Sequence, residues 1–221
     1  LYRAQQESAA SADAGAQGTN NTSASISSDG EIKDVDTMFI IGSNPTEAHP
    51  IIGLEMKKAR RRGAKMIVCD PRRTWVAERA DIHIQHKPGT DNMLINAMMR
   101  HILDKGLHDP DFIASRCENF EAFRANLDGF SVEEAAELCD VDADLIRRAA
   151  EMYAQGEPST IYYTLGITEH TCGTENVMNL ANLAMLTGQI GKPGATPFSL
   201  TGQPNACGGV RDTGTLCHIL P

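Results

Sequence analysis

The chain has 221 residues and a formal net charge of −9 at pH 7. This length is sufficient for a sizeable hydrophobic core in one or two domains. The negative charge argues against a nucleic-acid partner, because affinity for phosphate backbones depends on an excess of cationic side chains. No apolar run is long enough to cross a membrane, so no membrane insertion is expected.

The six cysteines do not include a C-x-x-C pair. Their spacing alone therefore predicts neither a zinc site nor an iron–sulfur cluster, and buried free thiols are expected. No metal-ligating residue is assigned to this chain.

The first 30 residues predict a flexible linker or loop. Residues 4–30 consist mainly of Ala, Ser, Gly, Asn, Thr, Gln and Asp, without a Val, a Leu or an aromatic side chain. Such a segment cannot bury enough apolar surface to offset its ordering entropy, so ordered structure is expected to begin near Glu31. Because the sequence opens on Leu1, we also expect residues 31–221 to be one domain of a longer chain.

Residues 37–73 predict a β-α-β unit. Its elements in chain order are a strand at 38–41, a helix from Pro50 to the turn at Gly63, and a strand at 66–68. Both strands are continuous apolar runs, which are typical of strands buried on both faces of a parallel sheet. The pattern predicts an α/β fold with a doubly wound, mostly parallel sheet flanked by helices.

Two loops of this unit are expected to line one crevice, since ligands of open α/β sheets bind beyond the carboxyl ends of the strands. The loops are 42–47, after the first strand, and 70–73, after the second. The Asp70 carboxylate can accept hydrogen bonds from ribose hydroxyls, while Arg72 or Arg73 can bind phosphate. The first loop lacks the G-x-G-x-x-G fingerprint, which disfavours a plain NAD site. The alternative interpretation is a turn with a charged rim.

A short helix at 75–80 and a third strand at 82–84 follow, and Thr90 is placed to cap a helix that ends at Gly106. Asp91 lies at the start of that helix. Its carboxylate can receive the adjacent N–H donors of a guanine edge, or it can serve as a second capping group. The spacing leaves both interpretations open.

Residues 109–156 predict helices without evident chemistry, including a capping box at Ser131 and Glu134. Next come a strand at 160–166, a polar loop at 167–173, a helix ending at Gly188 and an irregular stretch at 191–209. The polar loop follows a strand and is therefore expected to face the same crevice. Its Glu169 and His170 are the candidates for acid/base chemistry, and a loop histidine that is only hydrogen-bonded is the alternative.

Six phrases stand in order along the chain: GSNPTEAHP at 42–50, VCDPRR at 68–73, HKPGTD at 86–91, GITEHTCGTENV at 166–177, LTGQIGKPG at 186–194 and SLTGQPNACGG at 199–209. Together they resemble the prokaryotic molybdopterin oxidoreductases. Over most of the length the similarity is to the alpha subunit of formate dehydrogenases, whereas the last phrase resembles periplasmic and assimilatory nitrate reductases.

The resemblance implies a Rossmann-like domain that binds one of two molybdopterin guanine dinucleotides around a molybdenum or tungsten ion. By similarity, the nucleotide end would lie near Gly42, Asn44, Glu47, Asp70, Arg72, Gly89 and Asp91, with the last two at the guanine. The pterin end would lie near Leu165, Gly166 and Glu169, and the metal pocket near Thr201, Gly202 and Gln203. Thr201 and His170 are the catalytic candidates.

The resemblance also implies a 4Fe-4S cluster in the full-length parent, with ligands that would precede Leu1. Expected partners are the remaining domains of the parent, an iron–sulfur electron-transfer subunit and a small anionic substrate. At the position of Thr201, formate dehydrogenases carry an arginine, whereas nitrate reductases carry a threonine like this chain. Formate oxidation and nitrate reduction are therefore both retained as candidate reactions. A stand-alone nucleotide-binding module is the alternative of another class, and the fragment by itself is not expected to be active.

Overall fold

The computed structural model describes residues 32–202, so the predicted linker at 1–30 and the candidate Gln203 lie outside the described residues. The strands are β1 (Thr37–Ile41), β2 (Lys65–Cys69), β3 (Ile82–Ile84), β4 (Ser159–Tyr163) and β5 (Pro197–Ser199). The helices are α1 (Pro45–Ala48), α2 (Pro50–Arg61), α3 (Asp91–Asp104), α4 (Pro110–Arg116), α5 (Phe120–Leu127), α6 (Val132–Cys139), α7 (Ala143–Gln155), α8 (Leu165–Thr168) and α9 (Gly173–Leu186). None of the helices in this range is long and apolar enough to span a bilayer.

The five strands form one parallel sheet in the order β3-β2-β1-β4-β5. β1 is central, with Met38 opposite Met66 of β2 and Thr160 of β4. The chain builds one half of the sheet through β2 and β3, and then returns to the other side of β1 for β4 and β5. This order confirms the predicted doubly wound α/β fold, and the strand order reverses between β1 and β4.

Each face of the sheet is covered by its own hydrophobic layer. Phe39 and Ile41 of β1 pack on the side of α3, α6, α7 and α9, whereas Met38 and Ile40 pack on the side of α2. All residues of β1 are buried. The burial of both faces explains why the sequence of this strand is a continuous apolar run and not an alternating one.

The strand predicted at 160–166 is wrong beyond Tyr163, because the chain turns there into the single-turn helix α8. The hydroxyl of Thr164 donates a hydrogen bond to the carbonyl oxygen of Gly42 at 2.7 Å, and the backbone N–H of Gly166 donates to the same oxygen at 3.1 Å. These contacts with the loop after β1 redirect the chain against its local strand propensity.

Two predictions about helix starts have different outcomes. Ser131 caps α6 as predicted, because its Oγ accepts the backbone N–H of Glu134 at 3.4 Å. Thr90 does precede α3, but its hydroxyl donates to the carbonyl oxygen of Lys87 at 2.7 Å and does not cap the helix.

The helix predicted at 75–80 is a single 3₁₀ turn, Ala77–Arg79.

Candidate functional site

A crevice of about 390 Å³ opens beyond the carboxyl ends of β1, β2 and β4, where the strand order reverses. Its walls are the loops that follow these three strands and the segment that leads from β3 into α3. At a reversal point the loops of neighbouring strands diverge to opposite faces of the sheet, which leaves space between them for a ligand. The volume lies within the range of common small-molecule sites, about 300–1,000 Å³.

Gly42 and Gly166 form a close backbone contact at the floor of the crevice. Gly42 has a positive φ of 55°, which a residue with a side chain rarely adopts. A Cβ on Gly42 would lie 2.6 Å from the carbonyl carbon of Gly166, and a Cβ on Gly166 would lie 2.6 Å from the Cα of Gly42. The sequence of both loops is therefore restricted to glycine where the loops meet.

The Asp70 side chain is fixed at the end of β2. Its Oδ1 accepts the backbone N–H of Arg72 at 2.7 Å, and its carbonyl oxygen lies 3.0 Å from Nε2 of His83. Asp70 is 4% exposed, whereas the side chain of Arg72 is 69% exposed. The pair thus offers a fixed carboxylate and an accessible guanidinium, which suit a hydroxyl and a phosphate respectively.

Asn44 and Glu47 border the crevice on the side of β1. The amide oxygen of Asn44 accepts the hydroxyl of Thr46 at 2.8 Å, so the orientation of the amide group is fixed. Asn44 immediately precedes α1, and Glu47 lies within that helix with its side chain exposed.

Asp91, at the first position of α3, is a buried acidic group of the crevice. Its Oδ1 accepts Nε2–H of His86 at 2.8 Å, and both side chains are almost fully buried. The Nε2 of His170 lies 3.7 Å from Oδ2 of Asp91 and 2.9 Å from the carbonyl oxygen of Gly166. One carboxylate is therefore flanked by two imidazoles, one from each wall of the crevice.

Three buried polar atoms of crevice residues have no hydrogen-bond partner within residues 32–202: Ser43 Oγ, His86 Nδ1 and Asp91 Oδ2. Buried polar atoms are normally paired, and an unpaired one costs about 1–3 kcal/mol. Their presence in one crevice fits a bound polar ligand that supplies the missing partners.

The thiol of Cys69 lies beneath these carboxylates, at the end of β2. Burial raises the pKa of this thiol well above its usual range, and the nearby Asp91, Cys139 and Asp70 act in the same direction. The thiol therefore stays protonated, so Cys69 serves as an apolar residue of the core.

The structure brings most of the predicted site residues together. Nine of them line the crevice: Gly42, Asn44, Glu47, Asp70, Arg72, Asp91, Leu165, Gly166 and His170. Four others are not among the lining residues. Gly89 lies in the exposed turn before α3, and Glu169 is exposed after α8. Thr201 and Gly202 follow β5, where the carbonyl oxygen of Thr201 lies 3.2 Å from Nε2 of His49.

Sequence reasoning missed His86 and Ser43 as residues of the site. His86 stands in the sequence only as the first residue of the phrase HKPGTD, and no local pattern signals its contact with Asp91. Ser43 directly follows Gly42 and belonged to a predicted loop, but its burial depends on contacts that the sequence does not reveal. Among residues 32–202, no group of three His, Cys, Asp or Glu side chains is arranged to hold a metal ion.

Comparison with known proteins identifies the family. The family described as "Molybdopterin oxidoreductase" matches residues 2–219. The chain belongs to the molybdopterin oxidoreductase family. Its α/β domain is similar to a solved structure of acetylene hydratase from Pelobacter acetylenicus, with a TM-score of 0.71 and 30% sequence identity, covering 75% of this chain and 23% of that one.

Curated relatives include proteins of two activities. The chain is 44% identical to "Nitrate reductase" from Symbiobacterium thermophilum over 202 residues, and 42% identical to "Formate dehydrogenase H" from Escherichia coli over 191 residues. Both alignments cover 86% of this chain and 27% of the relative. This molybdopterin oxidoreductase chain therefore spans about a quarter of the length of these relatives.

Proposed function

We propose that this chain holds the nucleotide part of a molybdopterin guanine dinucleotide within a molybdenum or tungsten oxidoreductase. The observation that carries the proposal is the unpaired, buried Oδ2 of Asp91 in the crevice at the reversal of the strand order. A carboxylate that is fixed and only partly satisfied is suited to a ligand with N–H donors. The family supplies the class of cofactor, and the guanine dinucleotide form is the proposed refinement.

The proposed contacts follow the chemistry of the crevice. Asn44 and Glu47 would bind along the pyrophosphate and a ribose, and Asp70 and Arg72 would bind a ribose and the phosphates. Asp91 would accept the two adjacent N–H donors of guanine, with Gly89 in the turn beside it. The buried polar atoms left unpaired near this position are the structural support for that orientation.

The opposite end of the crevice would receive the pterin. Leu165 and Gly166 line this wall, and Glu169 follows them in the chain. The segment after β5, with Thr201, Gly202 and Gln203, is proposed to lie beside the metal pocket. His170 is proposed as a polar group near the pterin, since its ring is held against the carbonyl oxygen of Gly166.

The cofactor supplies the redox chemistry when bound. The residues of this chain would bind the nucleotide, fix its orientation through Asp70 and Asp91, and keep bulk water from the buried corner at His86. A 4Fe-4S cluster and an electron-transfer subunit are proposed for the full-length parent, where electrons would pass between substrate and a partner.

Formate oxidation to carbon dioxide is the proposed reaction of the parent, with nitrate reduction as the second candidate. Relatives of both names match the chain at similar identity. The phrases over most of the length resemble formate dehydrogenases and favour formate. Thr201 favours nitrate, because its hydroxyl cannot replace the fixed charge of an arginine beside the metal. Assays of the purified parent with formate and an artificial acceptor, and with nitrate and an artificial donor, separate the two. Turnover of formate alone is expected; turnover of neither would discard both.

A stand-alone nucleotide-binding module is the remaining candidate, since residues of this chain form the crevice without a partner chain. It predicts micromolar affinity of the 221-residue chain for GMP in calorimetry. We expect weaker binding, because the proposed cofactor extends beyond this crevice and the chain spans a quarter of its relatives. Micromolar binding without any partner would favour the module over a domain of an enzyme.

A further inference from the structure

We propose that His86 is a positioning residue that holds the Asp91 carboxylate for recognition of the guanine base. This inference rests on the proposed function, because it requires a guanine nucleotide in the crevice. Three features support this role: the contact between the two side chains, the atom of Asp91 that this contact leaves unpaired, and the hydrogen bonds of the turn between them.

The contact between His86 and Asp91 is short and shielded from water. Nε2 of His86 lies 2.8 Å from Oδ1 of Asp91, and the two side chains are 2% and 3% exposed. A hydrogen bond to an ionised acceptor is stronger than a neutral one, and screening by solvent is weak at such burial. His86 thus fixes one oxygen of the carboxylate and, through it, the plane of the whole group.

The second oxygen of Asp91 is left for a ligand. Oδ2 is buried and has no hydrogen-bond partner in the part of the chain that the structure describes. The nearest cationic candidate is Nε2 of His170 at 3.7 Å, and that nitrogen already lies 2.9 Å from the carbonyl oxygen of Gly166. Without the contact to His86, the carboxylate would be free to rotate towards His170, and its accepting oxygen would be lost to the crevice.

The turn that joins the two residues is itself rigid. The backbone N–H of Lys87 donates to the carbonyl oxygen of Cys139 at 2.8 Å, which ties the turn to the end of α6. The backbone N–H and the hydroxyl of Thr90 both bind the carbonyl oxygen of Lys87, at 3.2 Å and 2.7 Å. The relative placement of His86 and Asp91 is therefore set by the backbone before any ligand binds.

A carboxylate held in this way distinguishes bases by their hydrogen-bonding edges. Guanine presents two adjacent donors, N1–H and the exocyclic amino group. A carboxylate oxygen can accept two hydrogen bonds, so Oδ2 and the remaining lone pair of Oδ1 can accept both donors while Oδ1 also accepts from His86. Adenine places an acceptor, N1, beside its amino group, so one oxygen of the carboxylate would face a lone pair. The discrimination requires the correct orientation of the carboxylate, and that orientation is what His86 provides.

The chain contains a matched control for the loss of a buried histidine. His101 is also buried, and its Nε2 lies 2.9 Å from Oε1 of Glu151. His101 lies ten residues after Asp91 in α3, and an α-helix rises about 1.5 Å per residue, so the two residues are about 15 Å apart along the helix. His101 does not line the crevice. Replacing His101 thus removes a similar histidine–carboxylate contact without altering the proposed base site.

The test uses the full-length parent purified as wild type and as the variants His86→Leu, His86→Gln and His101→Leu. Acid treatment releases the nucleotide of the cofactor, and GMP per subunit is measured by chromatography and mass spectrometry, together with the melting temperature. We expect His86→Leu to retain less than half of the wild-type GMP. His86→Gln, whose side-chain amide can still donate to Asp91, and His101→Leu are expected to retain most of it.

The outcomes separate this inference from the proposed function. Wild-type GMP content in His86→Leu, or equal losses in His86→Leu and His86→Gln, would overturn the positioning role while leaving the guanine cofactor in place. Equal losses in His86→Leu and His101→Leu would also overturn it, because a general effect on folding would then suffice. A wild-type parent that releases no GMP would overturn the proposed guanine dinucleotide, and the role of His86 with it.

Discussion

Gly42 and Gly166 meet backbone to backbone, so closely that a Cβ on either residue would lie 2.6 Å from a backbone atom of the other. The contact joins the loop after β1 to the loop after β4, the two strands between which the strand order reverses. It therefore sets the distance between the two walls of the crevice. Residues with side chains at these positions would force the walls apart.

Gly166→Ala is expected to lower the stability of the domain. Overpacking of a closely packed site typically costs about 1–3 kcal/mol, which corresponds to about 2–12 °C in melting temperature for a domain of this size. Gly129→Ala is the control, since the nearest atom to its Cβ would be 3.8 Å away. Thermal unfolding of both variants checks the prediction. Equal melting temperatures would contradict it, because they would show that the backbone near Gly166 can shift to accommodate a methyl group at little cost.

Asp91→Ala is expected to weaken the binding of the cofactor by about 1–3 kcal/mol, because it removes a charge-assisted hydrogen-bond acceptor. Glu151→Ala is the matched control, since the carboxylate of Glu151 also binds a buried histidine but lies outside the crevice. GMP content of the purified full-length variants is the measurement. Unchanged occupancy in Asp91→Ala would rule out its role at the guanine.

Arg72 and Arg73 are expected to differ, although they are neighbours in the sequence. Arg72 lines the crevice and Arg73 does not. Arg72→Gln should therefore reduce cofactor retention, most strongly in washes at low salt, where the lost attraction between guanidinium and phosphate is least screened. Arg73→Gln should retain wild-type levels. A loss of the same size in both variants would show that only general surface charge matters.

Alkaline pH is expected to destabilise the domain through Cys69. Burial, together with the charges of Asp91, Cys139 and Asp70, raises the pKa of this thiol in the folded state. The unfolded thiol ionises near pH 8.5. The contribution of Cys69 to the free energy of unfolding is therefore complete below that pH, and it is lost as the pH rises towards the folded-state pKa.

Cys69→Ala removes this titration and serves as the comparison for the pH dependence. Urea unfolding at pH 7, 9 and 10 is the measurement. Above pH 8.5, ionisation of this thiol should lower the free energy of unfolding by up to about 1.4 kcal/mol per pH unit. The slope should be smaller in Cys69→Ala, although its stability at pH 7 is also lower because of the missing buried atom. Identical slopes in the two proteins would contradict the predicted effect of burial.

The long or strongly patterned elements were predictable from the sequence. The apolar runs of β1 and β2, with a helix between Pro50 and Gly63, indicated a β-α-β unit, because a strand covered on both faces needs no polar alternation. The helix α1 and the strand β5 were not predicted, since four and three residues are too few to show a period. β5 exists because it pairs with β4, from Ile161 opposite Pro197 onwards.

The candidate site was predictable as a location but not as a network. Asn44, Asp70 and Asp91 follow predicted strands or begin a helix, so their convergence follows from the rule on carboxyl ends of parallel strands. The contact of His86 with Asp91 depends on the path of the turn between them. No local propensity encodes that path, because it is fixed by the distant carbonyl of Cys139.

A crystal structure of the full-length parent, purified with its cofactor, tests the central proposal most directly. We expect a guanine base in this crevice, with its N–H edge within hydrogen-bond distance of Oδ2 of Asp91 and a phosphate or ribose near Asp70 and Arg72. A crevice filled by protein side chains, or a nucleotide whose base points away from Asp91, would contradict it.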